Sequence, residues 1–197
     1  LSLIYGSTYQ GGTIFHLDPT TGFGMVSMTS EIGYDDPTGY NNYKWGCYGT
    51  LIGTSDSIGS GKRNTQLIID NCLDRPIAAS VAKNYDGMGY TDWFLPSKDE
   101  ALALMNNTNI FANHDMIWTS SEENSVNGAN YAIRCAKSWS GNIYSSNEDK
   151  NNFERVFAVR DFGQSNFYTT NMPGTYFLTV TDSLGCTATD SIHVDIY

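Results

Sequence analysis

The order of hydrophobic and polar residues predicts a β-hairpin near the start of the chain. Residues 13–17 alternate weakly between apolar and polar types, and residues 24–28 repeat this pattern. Between them, residues 18–22 are Asp-Pro-Thr-Thr-Gly, which are residues that turns favour. Residues 30–64 are rich in turn-forming residues and are too long for a simple connection, so we expect an ordered surface loop there.

Helical patterns follow this loop. In residues 64–73 the apolar side chains recur near one face of a helix, which predicts a first helix. Residues 76–85 predict a second helix, with Pro76 in the first helical position, where its missing amide is tolerated. Glycines at positions 87 and 89 are expected to end this helical region.

A third helix is predicted to begin at Ser97, directly after a short apolar run. Trp93–Leu95 form that run, and Pro96 closes it. Ser97 and Glu100 have the spacing of a capping box, in which each side chain bonds the backbone amide of the other residue. Asp99 and Glu100 also lie where the helix dipole favours anions. These polar residues therefore have structural roles that require no catalysis.

Strand-like segments occupy the rest of the chain. They cover residues 116–123, 130–139, 141–152 and 154–162, the last of which is predicted to be one buried central strand. Residues 174–197 differ, because they form two alternating strands rich in Thr and Val that predict a second hairpin. A lone hairpin is marginally stable in water. We therefore expect this hairpin to pair with the main domain, with a missing half-domain or with another chain.

Composition and charge argue against two classes of partner, nucleic acids and the membrane interior. The formal net charge of −10 repels phosphate backbones, so we expect no nucleic-acid partner. No apolar run approaches the roughly 20 residues of a membrane helix, so no membrane insertion is expected. The first residues lack the pattern of a signal peptide and begin abruptly, as expected of a processed or trimmed product.

The four cysteines favour an oxidising compartment. Cys47, Cys72, Cys135 and Cys186 include no C-x-x-C pair and have no nearby histidine, which argues against zinc and redox motifs. Structural disulfides are the preferred interpretation, and buried free thiols are the alternative.

Five motifs in order resemble a known family. They are GGTIFHLDPTTGFGMV, WGCYGT, GYTDWFLPSKDE, IWTSSEE and RVFAVRDF, within residues 9–162. This succession resembles the bacterial C-type-lectin-like domains of secreted surface adhesins, including the C-terminal domain of a collagen-like adhesin. The resemblance implies an α+β fold, with a twisted antiparallel sheet, short flanking helices and long ordered loops. It also implies display on the bacterial cell surface and a disulfide between Cys47 and Cys72.

The tail resembles a different class of protein. PGTYFLTVTDSLGCTAT is similar to the closing strands of immunoglobulin-like repeats in gliding-motility and type IX-secreted surface proteins. We therefore divide the chain into a C-type-lectin-like domain, residues 1–162, and a hairpin extension, residues 163–197. A Cys135–Cys186 bridge would join the two parts; otherwise these cysteines are free or differently paired.

The segment from Ser138 to Phe153 is the predicted ligand-binding face. It is rich in Asn, Ser, Tyr and Trp, which supply adaptable polar contacts and rigid aromatic area. The structural alternative is that Asn, Ser and Gly only form turns there and that Trp139 belongs to the core. The predicted ligand-binding residues are Trp139, Asn142, Tyr144, Asn147, Asp149 and Asn151. Tyr40, Tyr43 and Lys44 are expected to border this face.

No catalytic, metal or cofactor site is predicted. The tripeptides by which animal C-type lectins bind sugar through calcium are absent from the sequence. Oxygen-rich loops at 35–36, 122–124 and 147–152 are compatible with calcium but are more often solvated loops. The three histidines are scattered, which offers no nucleophile–base pair.

The sequence therefore predicts a secreted, non-enzymatic adhesion domain. Its partner would be a glycan, or a protein on a host or neighbouring cell. The alternative is a structural subunit that assembles into a fibre or oligomer through residues 174–197 by strand addition.

Overall fold

The N-terminal hairpin is present and begins a mixed α+β fold. A computed structural model describes residues 3–32, 42–125, 127–163, 173–181 and 187–194. The strands are β1 (Thr8–Tyr9), β2 (Gly12–Leu17), β3 (Gly24–Ser27), β4 (Asn42–Lys44), β5 (Met116–Glu122), β6 (Tyr131–Lys137), β7 (Ile143–Asp149), β8 (Phe153–Arg155), β9 (Val159–Phe162), β10 (Gly174–Thr181) and β11 (Thr187–Val194). The helices are α1 (Gly61–Asn71), α2 (Ala78–Lys83) and α3 (Lys98–Asn107), with a 3-10 turn at Gly87–Gly89. The α+β class expected from the sequence is confirmed.

Two sheets form the body of the chain. The first has four strands in the order β1-β2-β3-β9. The second has five strands in the order β4-β8-β5-β6-β7. β4 lies inside the stretch that the sequence predicts to be an irregular loop, and it pairs with β8 through Tyr43 and Glu154. β7 is an edge strand, paired with β6 at seven successive positions without a bulge.

The predicted central strand at residues 154–162 is two strands instead. β8 ends at Arg155 in the five-stranded sheet, and β9 begins at Val159 in the four-stranded sheet. Residues 156–158 between them are buried and carry the chain from one sheet to the other. Their backbone carbonyls still accept hydrogen bonds, from the amides of Met28 and Ile32. A continuous apolar run is also typical of a single buried strand, so the sequence pattern alone does not indicate an interruption at residues 156–158.

The helix starts agree with the sequence at α3 and differ at α2. At α3 the Ser97 hydroxyl accepts from the Glu100 amide at 3.3 Å, and the Glu100 carboxylate accepts from the Ser97 amide at 2.8 Å, which confirms the capping box. α2 begins at Ala78, so Pro76 precedes the helix rather than occupying its first turn. The start of α2 is instead stabilised by Ser80, whose hydroxyl accepts a hydrogen bond from the Ile77 amide at 3.0 Å.

The stretch Trp93–Leu95 is buried at the centre of the body. Phe94 exchanges two backbone hydrogen bonds of 2.9 Å with Val159, so this run lies against the first residue of β9. Cys47 and Cys72 form a disulfide, as the resemblance implies, with their Cα atoms 5.1 Å apart. The bridge ties the loop after β4 to the end of α1.

The tail forms a compact unit of its own. Contacts divide the chain into residues 1–164 and residues 165–197. In the second unit β10 and β11 pair antiparallel at eight positions, from Gly174 opposite Val194 to Thr181 opposite Thr187. Residues 182–186, between the two strands, lie outside the described residues. In the part of the chain that the structure describes, no helix has the length and apolarity needed to cross a membrane.

Candidate ligand-binding site

The predicted ligand-binding face is mostly strand rather than loop. Residues 138–142 form a turn, β7 follows, and a second turn closes at residues 149–152. The two turns therefore lie at opposite ends of a seven-residue strand, separated by about 20 Å at the usual rise per residue. The predicted residues do not form one cluster.

Neighbouring residues of β7 also point to opposite faces of the sheet. Tyr144 lies opposite Ala136, whereas Asn147 lies opposite Ile133, and their odd spacing places the two side chains on different faces. Both side chains are exposed. At the far turn, Asp149 accepts from the Asn151 amide at 2.8 Å, so the two residues stabilise the turn itself.

Trp139 is the most prominent aromatic side chain of this region. The other three tryptophans, Trp45, Trp93 and Trp118, are fully buried, whereas Trp139 is 74% exposed. The alternative that Trp139 belongs to the core is therefore wrong. Its indole stacks on the imidazole of His114, with 4.7 Å between ring centroids and 11° between planes. One face of the indole is covered and the other is open to solvent.

Hydrogen bonds hold the two stacked rings in place. The His114 amide donates to the Lys137 carbonyl at 2.6 Å, and the Lys137 amide donates to the Asp115 carbonyl at 3.0 Å. The Lys137 ammonium reaches the Phe111 carbonyl at 3.2 Å. His114 has a backbone φ of 77°, a left-handed conformation that is unusual for a residue other than glycine. The turn before β5 is thus fastened to the end of β6.

Uncharged polar residues lie in the same two turns as the stacked rings. Asn113 donates to the Trp139 carbonyl at 3.1 Å, which links the two turns directly. The Ser138 hydroxyl lies 2.9 Å from the Ser140 hydroxyl and accepts from the Asn142 backbone amide at 3.0 Å, and the Asn142 side chain donates to the Ser140 hydroxyl at 3.2 Å. Together the six residues form what we call the Trp139 platform. Its members are Asn113, His114, Ser138, Trp139, Ser140 and Asn142.

Sequence reasoning found Trp139 and Asn142 but missed His114. The two rings are 25 positions apart in sequence, and the register of β5 against β6, with Met116 opposite Ala136, brings them together. A lone histidine in a polar turn gives no signal of this contact, because the register is a tertiary property.

An ion cluster braces the face of β7 that carries Tyr144. Arg134 on β6 pairs with Glu148 at 2.8 Å and with Glu154 on β8, and it donates to the Ser146 hydroxyl at 3.2 Å. Burial raises the pKa of Glu154, although Arg134 acts in the opposite direction. This cluster ties the edge strand to the rest of the sheet, so its charges have structural roles.

Of the residues expected to border the face, Tyr43 is withdrawn from the surface, whereas Lys44 is exposed at the end of the predicted segment. Tyr43 is buried, and Lys44 lies 5.5 Å from the ring of Phe153. Tyr40 lies outside the described residues.

Two of the three oxygen-rich loops, at 122–124 and 147–152, meet in the Glu122–Lys150 ion pair. The Glu122 carboxylate accepts from the amides of Ile52 and Gly53 and pairs with Lys150, so its oxygens are already occupied. Within residues 3–32, 42–125, 127–163, 173–181 and 187–194, no group of three His, Cys, Asp or Glu side chains is placed to hold a metal ion. Asp35 and Asp36 lie outside these ranges.

Cys135 is buried and forms no disulfide with either of the other described cysteines. Burial raises the pKa of this thiol to about 12, which suppresses the reactive thiolate. Cys186, its predicted partner, lies outside the described residues, so the proposed bridge stays a prediction.

An open cavity of about 710 Å³ lies beside α2. It is lined in part by Tyr43, Arg75 and Tyr85. Arg75 donates to the carbonyls of Cys72 and Ile69, at 3.0 and 2.8 Å. Arg75 therefore closes the end of α1, and the Trp139 platform remains the stronger candidate site.

Comparison with known proteins adds no assignment. No protein-family model matches the chain, and no curated protein matches it.

Proposed function

We propose that this chain is a secreted, non-enzymatic surface protein that binds a ligand through the Trp139 end of the face predicted at residues 138–152. The single observation that carries the proposal is the exposed indole of Trp139, held against His114. Covering a large exposed aromatic ring with a partner removes apolar area from water and so favours binding. A ring held rigid before binding also lowers the entropy lost on association.

We further propose a C-type-lectin-like fold for residues 1–162, displayed on a bacterial cell surface. The five motifs in order support it, as do the mixed α+β architecture and the Cys47–Cys72 bridge. In this proposal the ligand is a glycan or a protein on a host or neighbouring cell.

The test is binding of the full chain to arrays of glycans and extracellular proteins. We expect at least one immobilised ligand to be retained, with binding lost in Trp139→Ala. Tyr144→Ala tests whether the adjoining strand contributes. Tyr48→Ala is the matched control, because Tyr48 is an exposed aromatic residue in the loop after β4. Blank arrays, or equal binding by Trp139→Ala and Tyr48→Ala, would defeat the proposal.

A second candidate function is that of a structural subunit, and one observation favours it. Both faces of the β10–β11 hairpin carry an exposed apolar side chain, Phe177 and Ile192. A two-stranded sheet of this kind is marginally stable alone, so a further strand from another copy would stabilise it.

The two candidates are separated by sedimentation of the full chain over a range of concentrations. A structural subunit self-associates, and Ile192→Lys or deletion of residues 163–197 prevents this without unfolding the body. A ligand-binding monomer sediments as one species at every concentration, and the deletion leaves ligand binding intact.

A further inference from the structure

The open face of Trp139 has the geometry of a sugar-binding surface. One side of the indole is occupied by His114, so a ligand has a single flat aromatic face on which to stack. The face of an aromatic ring is electron-rich, and it attracts the weakly positive C–H groups on the apolar face of a pyranose. A flat, one-sided platform fits a flat ring better than it fits an extended peptide side chain.

The polar groups of the platform have the chemistry that sugar hydroxyls require. Ser140 and Asn142 lie in the same turn as Trp139 and carry exposed hydroxyl and amide groups. Each of these groups donates and accepts hydrogen bonds, as a sugar hydroxyl does. Small-molecule sites commonly combine an apolar contact with a few polar groups that fix the orientation of the ligand.

Charge selects against acidic ligands. The side chains that form hydrogen bonds in the platform, Asn113, Ser138, Ser140 and Asn142, are all uncharged. The formal net charge of the chain is −10, so carboxylated and sulfated sugars are repelled over longer distances. Neutral sugars meet no such penalty.

We propose that the Trp139 platform binds the apolar face of a neutral pyranose. This inference rests on the proposed ligand-binding function and names its ligand class. Trp139 is the stacking residue, Asn142 and Ser140 bond the sugar hydroxyls, and His114 is a positioning residue that holds the indole from behind. A single pyranose on one ring binds with a dissociation constant on the order of 1 mM.

The test uses the fluorescence of Trp139 in the full chain. Because the other three tryptophans are fully buried, quenching by acrylamide reports mainly on this indole. The neutral probes are methyl β-D-galactopyranoside and methyl β-D-glucopyranoside, and the acidic probe is N-acetylneuraminic acid. We expect at least one neutral probe to protect Trp139 from the quencher and the acidic probe to give no protection.

Variants separate stacking from positioning. Saturation-transfer NMR with the same probes should show about tenfold weaker binding in Trp139→Ala, the loss expected on removing one stacked ring. His114→Gly removes the second ring while tolerating the positive φ, and about threefold weaker binding is expected because the indole is less restrained. His114→Phe should restore affinity, and Tyr48→Ala should leave it unchanged.

The outcomes distinguish the ligand class from the function. If only acidic sugars or proteins protect Trp139, the neutral-pyranose inference is overturned and the proposed function stands. If neutral sugars bind equally well to Trp139→Ala, the platform is not their site and the inference is overturned. If no probe and no array ligand binds, both proposals are overturned.

Discussion

The ammonium of Lys150 lies 2.6 Å from a carboxylate oxygen of Glu122, and both side chains are buried. The same ammonium donates to the Thr50 carbonyl at 2.9 Å and lies 4.3 Å from the centre of the Trp45 ring. Burial lowers the pKa of Lys150, and Glu122 counteracts that effect. This pair fixes the loop after β4 against the end of β5 and the turn that follows β7.

Replacing Lys150 with Met should destabilise the fold strongly. Removing one partner of a buried pair leaves the other charge uncompensated, which costs about 3–5 kcal/mol. Urea unfolding at pH 7 measures the change in the free energy of unfolding. Lys44→Met is the control, because Lys44 is exposed and should lose less than about 1 kcal/mol. Similar losses in the two variants would show that Lys150 has no special role.

Glu100 should make the stability depend on pH near neutrality. Burial raises the pKa of this carboxyl to about 7, against the hydrogen bonds that it accepts from the amides of Ser97, Gly61 and Gly59. The folded state therefore binds a proton that the unfolded state releases between pH 4.5 and about 7. The Glu100 contribution is complete below pH 4.5 and decreases by about 3 kcal/mol as the pH rises through this window.

Urea unfolding of Glu100→Gln at pH 4.5 and at pH 7.5 isolates this effect. The variant is less stable overall, since glutamine has one acceptor oxygen where Glu100 uses two, for the Ser97 amide and for the Gly59 and Gly61 amides. Its free energy of unfolding should nevertheless lack the decrease assigned to Glu100. Asp99→Asn, an exposed neighbour in the same helical turn, is the control and should keep the wild-type decrease. Parallel pH profiles for wild type and Glu100→Gln would contradict the raised pKa.

Cys135 should be inert in the folded protein. Its thiol is buried and its pKa is raised to about 12, so the thiolate that reacts with iodoacetamide is scarce and inaccessible. Peptide mapping should find Cys135 unmodified under native conditions and modified in guanidinium without reductant. Absence of reaction in guanidinium would instead reveal a disulfide, such as the predicted bridge to Cys186.

Local patterns were predicted well, and long-range registers were not. The Ser97–Glu100 capping box and the first hairpin depend on neighbouring residues, so their sequence signals were sufficient. The break between β8 and β9 arises because one apolar run pairs first with strands of the five-stranded sheet and then with a strand of the four-stranded sheet, and this pairing is not visible in the local sequence. His114 could not be predicted from the sequence either, because it is the pairing of β5 with β6 that brings its ring to Trp139.

The pairing of Asp92 with Arg160 joins two motifs that the sequence shows only separately. Arg160 on β9 is nearly buried, forms bonds of 2.7 and 3.0 Å to the two carboxylate oxygens of Asp92, and lies 3.9 Å from the centre of the Tyr90 ring. The hydrogen bonds from Arg160 lower the pKa of the Asp92 carboxyl.

Arg160→Lys should therefore destabilise the fold although the charge is kept. A lysine offers no planar fork for two carboxylate oxygens and stacks poorly on a tyrosine, so a loss of about 2 kcal/mol is expected in urea unfolding at pH 7. Arg63→Lys on the exposed side of α1 is the matched control and should change stability by less than about 0.5 kcal/mol. The lowered pKa of Asp92 adds an acid-dependent signature. Its contribution is present above its ordinary pKa of 3.8 and is lost as the pH falls further, so Asp92→Asn should flatten the stability profile in acid. Equal stability of the two arginine variants would show that net charge, rather than the fork geometry, holds the two motifs together.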